Sequence, residues 1–514
     1  MSTFRLLRHN GHLPKLVRCR YNSTAAATQL SDVNTTNPKP FKDIPGPTGI
    51  YSIPKIGPVF LFEPFSKYNV HNMHELLDGL CDKHGSIIRL GDAVVFTSQP
   101  KDIEYVYKNE GKYPVRPGLG ILDVYLDRTK KEKGLGVLHG EKWAKLRHSI
   151  QKVTVRPKSA LHYIESQSGV AEDLVHQLRR IKPEDLREML FIYATESIAV
   201  VCFNKRLGIL GEHVTEEVQD FLENSKLFLK LLNHGFMGIP FYKYFETPTY
   251  KKFRDATDKA YGFGKVQIEE SLEKALQMKK DGTWNPDDSN LLMTMLGDDR
   301  LSVNQISSMV LDLLVAGTDS TAKTLELFLD GLSRRPDIQE KLYQEILEHM
   351  GRHGDLTADN LPKMKYLAAC LKESFRIHYP VPAGTSRIFP HDIVLSGYTV
   401  PKGTMICLNN RRLVNNPAYI KDPTVYRPER WLRDENGVRR EEIPSIGLIP
   451  FSIGVRNCIG RRFAEQEIYL AVAKIVQNFK LSNKDTTPIA ERKVTYMPFG
   501  TLIDQPMINF QERT

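Results

Sequence analysis

The amino-acid sequence predicts a mainly α-helical domain that carries a small β-sheet region. Three observations support this. From about residue 140 to 380, apolar residues recur at helical spacing in long segments punctuated by Pro and Gly. Short β-rich runs flank that region, at 86–98 before it and near 386–408 and 494–510 after it. No internal repeat or low-complexity linker divides the folded part, so a chain of 514 residues reads as one large unit although its length alone allows several domains.

In chain order, residues 1–31 carry Arg5, Arg8, Lys15, Arg18 and Arg20, several hydroxyl residues, and no acid before Asp32. That composition is that of an organelle transit peptide, with a disordered basic terminus as the alternative. No apolar stretch approaches the ~18 residues needed to cross a bilayer, which argues against a secretory signal or a membrane anchor. Residues 32–43 are expected to be a linker, and the globular domain to occupy 44–514, opening on the stiff turn Ile44-Pro45-Gly46-Pro47. The runs Ser86 to Gly91 and Ala93 to Ser98 predict a hairpin about Gly91-Asp92. Ser302 and Gln305 form a capping-box pattern that predicts the start of a long helix ending before Pro336 and apolar nearly all round.

The formal net charge of +10 is modest for this length, and basic residues are scattered rather than interleaved with aromatics, so nucleic-acid binding is not expected. An acidic protein partner or a lipid surface suits the balance better. Six cysteines stand at 19, 81, 202, 370, 407 and 458 without CxxC spacing or neighbouring histidines. This excludes a disulfide framework and a structural zinc site, and fits a reducing compartment.

Cys458 alone has a chemical neighbourhood, Phe451-Ser-Ile-Gly454-Val-Arg456-Asn-Cys458-Ile-Gly460. A thiolate ligand to haem iron must be deprotonated, rigid and shielded from water. Gly454 and Gly460 permit close backbone approach, Arg456 offers a cation for a propionate, and Phe451 can shield the sulfur. Cys458 is expected to open a helix whose apolar residues Ile468, Ala471, Val472, Ile475 and Phe479 recur at helical spacing, so that its amides face the sulfur.

This run resembles the haem-binding signature of the cytochrome P450 superfamily, and the resemblance extends over about residues 40 to 514. It implies the family's fold, with haem b (iron-protoporphyrin IX) between two core helices and Cys458 as axial thiolate. Glu373 and Arg376, three residues apart on one helix face and otherwise an ordinary ion pair, resemble with Arg430 the family's buried structural triad. Trp143, Arg147 and Arg387 resemble the remaining propionate anchors. The segment Ala316-Gly317-Thr318-Asp319-Ser320-Thr321 is similar to the oxygen-activating stretch, in which an acid relays protons and an alcohol orients water. The family's usual Thr after the acid is Ser320 here, with Thr321 following, and a hydroxyl satisfied by the carbonyl one turn back is the bland alternative. Pocket walls are expected from the loop 119–124, from 231–240, from Val315 and Thr318, from Val381 to Thr385, and from 500–502 with Thr501.

Several features resemble the mitochondrial members. Arg461-Arg462 directly follow Gly460, and Phe203-Asn-Lys-Arg-Leu-Gly208, Glu246 to Phe253 and Phe510-Gln-Glu-Arg513 are similar to segments of that clan. Lys372 matches a ferredoxin-docking position, with Lys365 further back and Ala368 where a second lysine is common. The resemblance implies a mitochondrial monooxygenase on the matrix side of the inner membrane. Its partners would be an adrenodoxin-like ferredoxin with its NADPH-dependent reductase, and a small hydrophobic substrate of steroid, sterol or secosteroid type. Oxidation of foreign compounds is the runner-up, and a haem-thiolate isomerase or a haem sensor is the rival from another class. The apolar stretch 236–241 is expected to dip into a membrane surface as a port for substrate, or else to pack as an ordinary loop.

Overall fold

The computed structural model describes residues 37–513 apart from 55, 70, 157, 234–239, 284–289, 299, 383 and 497. The expected transit peptide and most of the apolar 236–241 stretch therefore lie outside the described residues. The predicted architecture is found: long helices around one extended apolar core, with small sheets at its edge.

Eight helices frame the site. They are α1 (Gly140–Thr154), α2 (Leu186–Phe203), α3 (Glu216–Asn233), α4 (Pro248–Lys280), α5 (Val303–Ser333), α6 (Pro336–Met350), α7 (Lys365–Ile377) and α8 (Arg461–Asn478). The predicted capping box starts α5: Ser302 Oγ accepts from Gln305 N–H at 3.2 Å, and Gln305 Oε1 accepts from Ser302 N–H at 3.0 Å. Both helices being apolar nearly all round, α5 and α2 pack along each other through the core. Gly317 sets their separation, because a Cβ there would lie 2.8 Å from Ile198 Cγ1. Helices α3 and α4 are fastened by stacked rings, Phe221 on Phe263 at 4.4 Å and Phe228 on Phe253 at 5.3 Å.

The predicted hairpin is β1 (Ile87–Leu90) and β2 (Val94–Thr97), paired Ile87 to Thr97 through Leu90 to Val94, with Gly91 at φ +62° in the turn. Strands β3 (Ser386–Ile388) and β6 (Met405–Leu408) complete a four-stranded sheet of order β1-β2-β6-β3. Three antiparallel pairs accompany it: β4 (Ile393–Leu395) with β5 (Tyr398–Val400), β7 (Phe479–Asn483) with β10 (Ile508–Glu512), and β8 (Val494–Tyr496) with β9 (Gly500–Leu502). The Ile44–Pro47 turn lies on β1, where Arg89 N–H donates to Pro45 O at 2.8 Å and a Cβ on Gly46 would come within 2.2 Å of Arg89 O. Lys39, within the expected linker, already pairs with the β5 region through Gly397 O and Thr399 N–H. No helix among the described residues is long and apolar enough to cross a membrane.

Candidate active site

A cavity of about 410 Å³ opens between α5 and the loop that precedes α8, and Cys458 forms part of its wall. The loop is rigid for identifiable reasons. Cys458 N–H donates to Phe451 O at 2.8 Å, and Gly454 turns at φ +77° against Glu110, whose Oε1 would lie 2.1 Å from a Cβ there. Only glycine fits that position. Helix α8 begins at Arg461 with Gly460 as its cap, not at Cys458 as expected, because the Cys458–Gly460 turn precedes it. The sulfur still receives the Gly460 N–H. Of the five described cysteines, four are buried in the core and Cys458 alone is accessible, the surface it exposes being the cavity wall. Burial raises its pKa, while the Gly460 amide and the charges of Arg147, Arg116 and Arg461 oppose that rise.

Four arginines gather beside the sulfur. Arg147 on α1, Arg456 of the cysteine loop and Arg116 line the cavity, and Arg387 on β3 packs over the Tyr107 ring at 5.2 Å. Against their four charges stands one carboxylate, Glu110, paired with Arg387 Nε at 2.6 Å. Burial, then the neighbouring cations Arg116, Arg387 and Arg147, push Arg456 down to about 9. Burial and Arg387 push Arg116 down to about 10. Three buried guanidinium nitrogens, Arg116 Nε, Arg147 Nε and Arg387 Nη2, have no partner among the described residues. Orphaned cationic donors around a thiol are what a cofactor bearing two carboxylates and needing a sulfur ligand requires, so these residues fit a haem.

Arg456, which lines the cavity, also binds backbone around it. Its Nε donates to Pro114 O at 3.0 Å and its Nη2 to Leu138 O at 2.7 Å, and its guanidinium lies 4.0 Å over the Trp143 ring. It tethers the 114–138 segment, and Trp143 packs beneath it. Arg116 and Glu110 were not singled out from the sequence. The one local signal for Arg116 is its position between Pro114 and Pro117, which stiffens the backbone that aims it.

On α5, Val315 lines the cavity together with Leu313 and Ala316, whereas Thr318, Val381, Thr385 and Thr501 are not among its lining residues. Thr318 Oγ1 is buried on Leu314 O at 2.8 Å, and Thr385 Oγ1 meets Tyr107 OH at 2.6 Å. Thr501 Oγ1 donates to Glu326 Oε2 at 2.7 Å, beside the Arg187–Glu326 pair, and half-buried Val381 sits in the turn after α7. Phe499, next to the expected 500–502 stretch, reaches the wall instead, as do Leu119 and Leu122 from the expected loop.

The three hydroxyl-and-acid candidates also have partners. Asp319 is buried and paired with Lys323 Nζ at 2.8 Å, burial raising its pKa against that lysine. Ser320 Oγ donates to Ala316 O at 2.7 Å, the bond one turn back. Thr321 Oγ1 donates to Glu467 Oε2 at 3.4 Å, and burial holds that fully buried acid well above its usual range. Gly317 serves the packing of α5 on α2.

Glu373, Arg376 and Arg430 are brought together with side chains wholly inaccessible. On the face behind the cysteine loop, a depression of about 320 Å³ holds Lys372, Arg433, Arg439 and Arg461 above Phe451 and Phe375. Arg461 packs on the Phe451 ring at 5.5 Å. Glu465 is paired with Arg461 at 2.9 Å and with the exposed Arg462 at 3.6 Å. Lys365 instead borders a different depression, with Glu345, Glu348 and His349.

The family model for cytochrome P450 matches residues 47–505 of the chain. A probable mitochondrial cytochrome P450 12e1 of Drosophila melanogaster is 31% identical over 483 residues, covering 88% of this chain and 90% of its own. Cytochrome P450 10 of Lymnaea stagnalis is 29% identical over 475 residues, covering 90% and 85%. Cytochrome P450 CYP12A2 of Musca domestica is 30% identical over 464 residues, covering 83% and 85%.

Proposed function

The chain belongs to the cytochrome P450 family of haem-thiolate monooxygenases, and from that premise we propose that it hydroxylates a hydrophobic steroid-, sterol- or secosteroid-like substrate in mitochondria with electrons from a ferredoxin. The observation that carries the reading is the accessible Cys458 sulfur beside four arginines with three orphaned donors. Haem b would be held by Cys458, with Arg116, Arg147 and Arg387 for its carboxylates, and by Arg456 and Trp143 through the segment they tether. When bound, it supplies activation of O₂ and transfer of one oxygen atom to the substrate.

The chain's own residues do the rest. The Gly460 amide and the flanking arginines favour the thiolate form of Cys458, and the Phe451 carbonyl fixes its backbone N–H. Asp319 holds a proton position on α5, with Lys323 as its partner toward the outside, and Ser320 and Thr321 continue that polar break in an apolar helix. The largely apolar wall, including Phe228, Leu232 and Phe499, selects a hydrophobic substrate and excludes water.

The depression with Lys372, Arg433, Arg439 and Arg461 supports docking of an acidic ferredoxin behind the cysteine loop, with exposed Arg462 paired to Glu465 of the same depression. Exposed Phe241, Tyr244 and Phe245 support contact with a membrane surface. Residues 1–31 are the proposed transit peptide, and 44–514 the enzyme domain.

The test is the difference spectrum of reduced, carbon monoxide-bound protein, wild type beside Cys458→Ser. A Soret band at the far-red position of thiolate-ligated haem, lost in the variant, is expected. Its absence from folded, haem-loaded wild type would overturn the assignment. Arg439→Glu should raise the KM for a mitochondrial ferredoxin without changing that band, and an unchanged KM would remove the proposed docking face.

A further inference from the structure

The arginine cluster occupies one part of the cavity wall. A second polar feature stands apart from it on α5, one turn before Ala316. There Asp312 is the one acidic residue among the described residues lining the cavity, set among Leu122, Phe228, Leu232 and Met309. Its Oδ1 accepts from Tyr261 OH on α4 at 3.3 Å, and the carboxylate also accepts the Gly136 N–H. Gly134 allows that closeness, because a Cβ there would lie 1.8 Å from Asp312 Oδ2. The backbone has thus been brought against the carboxylate where a side chain would have covered it.

No ion pair joins Asp312 to a lysine, arginine or histidine among the described residues. The charged groups on the elements around it are engaged elsewhere. Lys131 pairs with Asp258, Lys133 with Asp127, and His139 lies beside Arg456. Asp258 on α4 is held by Lys131 and Tyr125. A carboxylate at the wall of an apolar cavity, with two hydrogen bonds and no counter-ion, is costly while it stays ionised, and a cation reaching it would offset that cost.

We propose that Asp312, positioned by Tyr261 and the Gly134–Gly136 backbone, is a substrate-recognition residue that selects apolar molecules carrying a cationic nitrogen. The inference rests on the monooxygenase reading and narrows its substrate class. Burial raises the Asp312 carboxyl to about 6, with the Gly136 amide and Tyr261 opposing the rise, so it is mainly ionised above that pH. Preference for a cation is therefore present above pH ~6 and lost as pH falls through it.

The experiment is calorimetric titration of the haem-loaded enzyme with 1-adamantyltrimethylammonium and with its uncharged isostere 1-tert-butyladamantane. The quaternary nitrogen cannot ligate iron, so charge is the only difference read. At pH 7.5 the cation should bind about tenfold more tightly or better. That ratio should approach one in Asp312→Asn, and in the wild type at pH 5. Equal affinities at pH 7.5, or a preference that survives at pH 5, would overturn the proposal without any variant having to fold. The carbon monoxide spectrum reads separately whether the haem-thiolate assignment holds, so failure of one is distinguishable from failure of the other.

Discussion

Replacing Glu373 by Gln should destabilise the protein more than any other single loss of charge behind the cysteine loop. Glu373 is wholly inaccessible and accepts five hydrogen bonds. Two come from Arg376, Nη2 at 2.8 Å and Nε at 3.1 Å, and one from Arg430 Nε at 3.1 Å. The Arg427 amide at 3.0 Å and Trp431 Nε1 at 2.8 Å complete the set. Gln preserves shape but removes the charge and turns an NH₂ toward donors. Two buried guanidinium groups are then left with carbonyls and with Glu441, which also pairs with Arg430. Breaking a buried pair in this way costs about 3–5 kcal/mol. Glu441→Gln is the control: its side chain is 14% exposed and water can replace the lost bonds, so about 1–2 kcal/mol is expected. Urea unfolding followed by circular dichroism gives both values, and loss of the far-red carbon monoxide band reports whether the cysteine loop slackens first. A Glu373→Gln cost no larger than that of Glu441→Gln would refute the argument that this carboxylate locks the 428–431 turn to α7.

Arg116→Leu and Arg147→Leu should each weaken haem retention by about 10- to 100-fold, measured by transfer of haem to apomyoglobin, because each removes a charge-assisted bond. The haem-free protein should lose less stability, because relief of repulsion among these cations offsets the lost bonds to the Arg456 carbonyl and Asn457 Oδ1. Asp319→Asn should slow product formation by about 10²–10⁴-fold in single-turnover assays. Ser320→Ala should change it by less than about threefold, because its hydroxyl is bonded to the Ala316 carbonyl; an equal loss would show that the hydroxyl leaves that carbonyl during turnover. Burial, only partly opposed by the Ile489 backbone, pushes His378 down to about 4 from 6.5. The unfolded chain therefore takes up the proton first, and the stability is complete above pH ~6.5 and declines as pH falls toward 4. About 1.5 kcal/mol should disappear between pH 6.5 and 5 in denaturant titrations, and His378→Asn should flatten that slope.

The parts of the fold that the sequence discloses are those with a local physical cause. The Ser302–Gln305 capping box and the Gly91 hairpin are written in adjacent residues, and both form as predicted. The Glu373 triad and the Cys458 loop are separated in sequence but marked by fixed motifs. What escaped was decided by tertiary placement. Glu110 gains its position from Arg387 on β3 and from Gly454, and Arg116 from the Arg456 carbonyl, each hundreds of residues away, so beyond the flanking prolines of Arg116 nothing local announces them. Thr385 and Thr501 are engaged by Tyr107 and Glu326, partners from distant elements that the local sequence does not name. The Ile198 contact that explains Gly317 belongs to another helix.

The charges of the cavity wall follow from one another. Arg116, Arg147, Arg387 and Arg456 come from a loop, a helix, a strand and the cysteine loop, so their convergence exists only when those elements are docked. Their repulsion opposes folding until anionic groups arrive, and cofactor binding is therefore linked to folding of this region by mass action. The same field acts on whatever else enters the cavity. A cationic nitrogen is repelled from the arginine side and attracted by Asp312, while an anionic group is drawn to the side the cofactor's carboxylates take. Of the charged apolar molecules that fit, the one oriented without competing with the cofactor is the cation, held at α5 with its apolar remainder toward the Cys458 side.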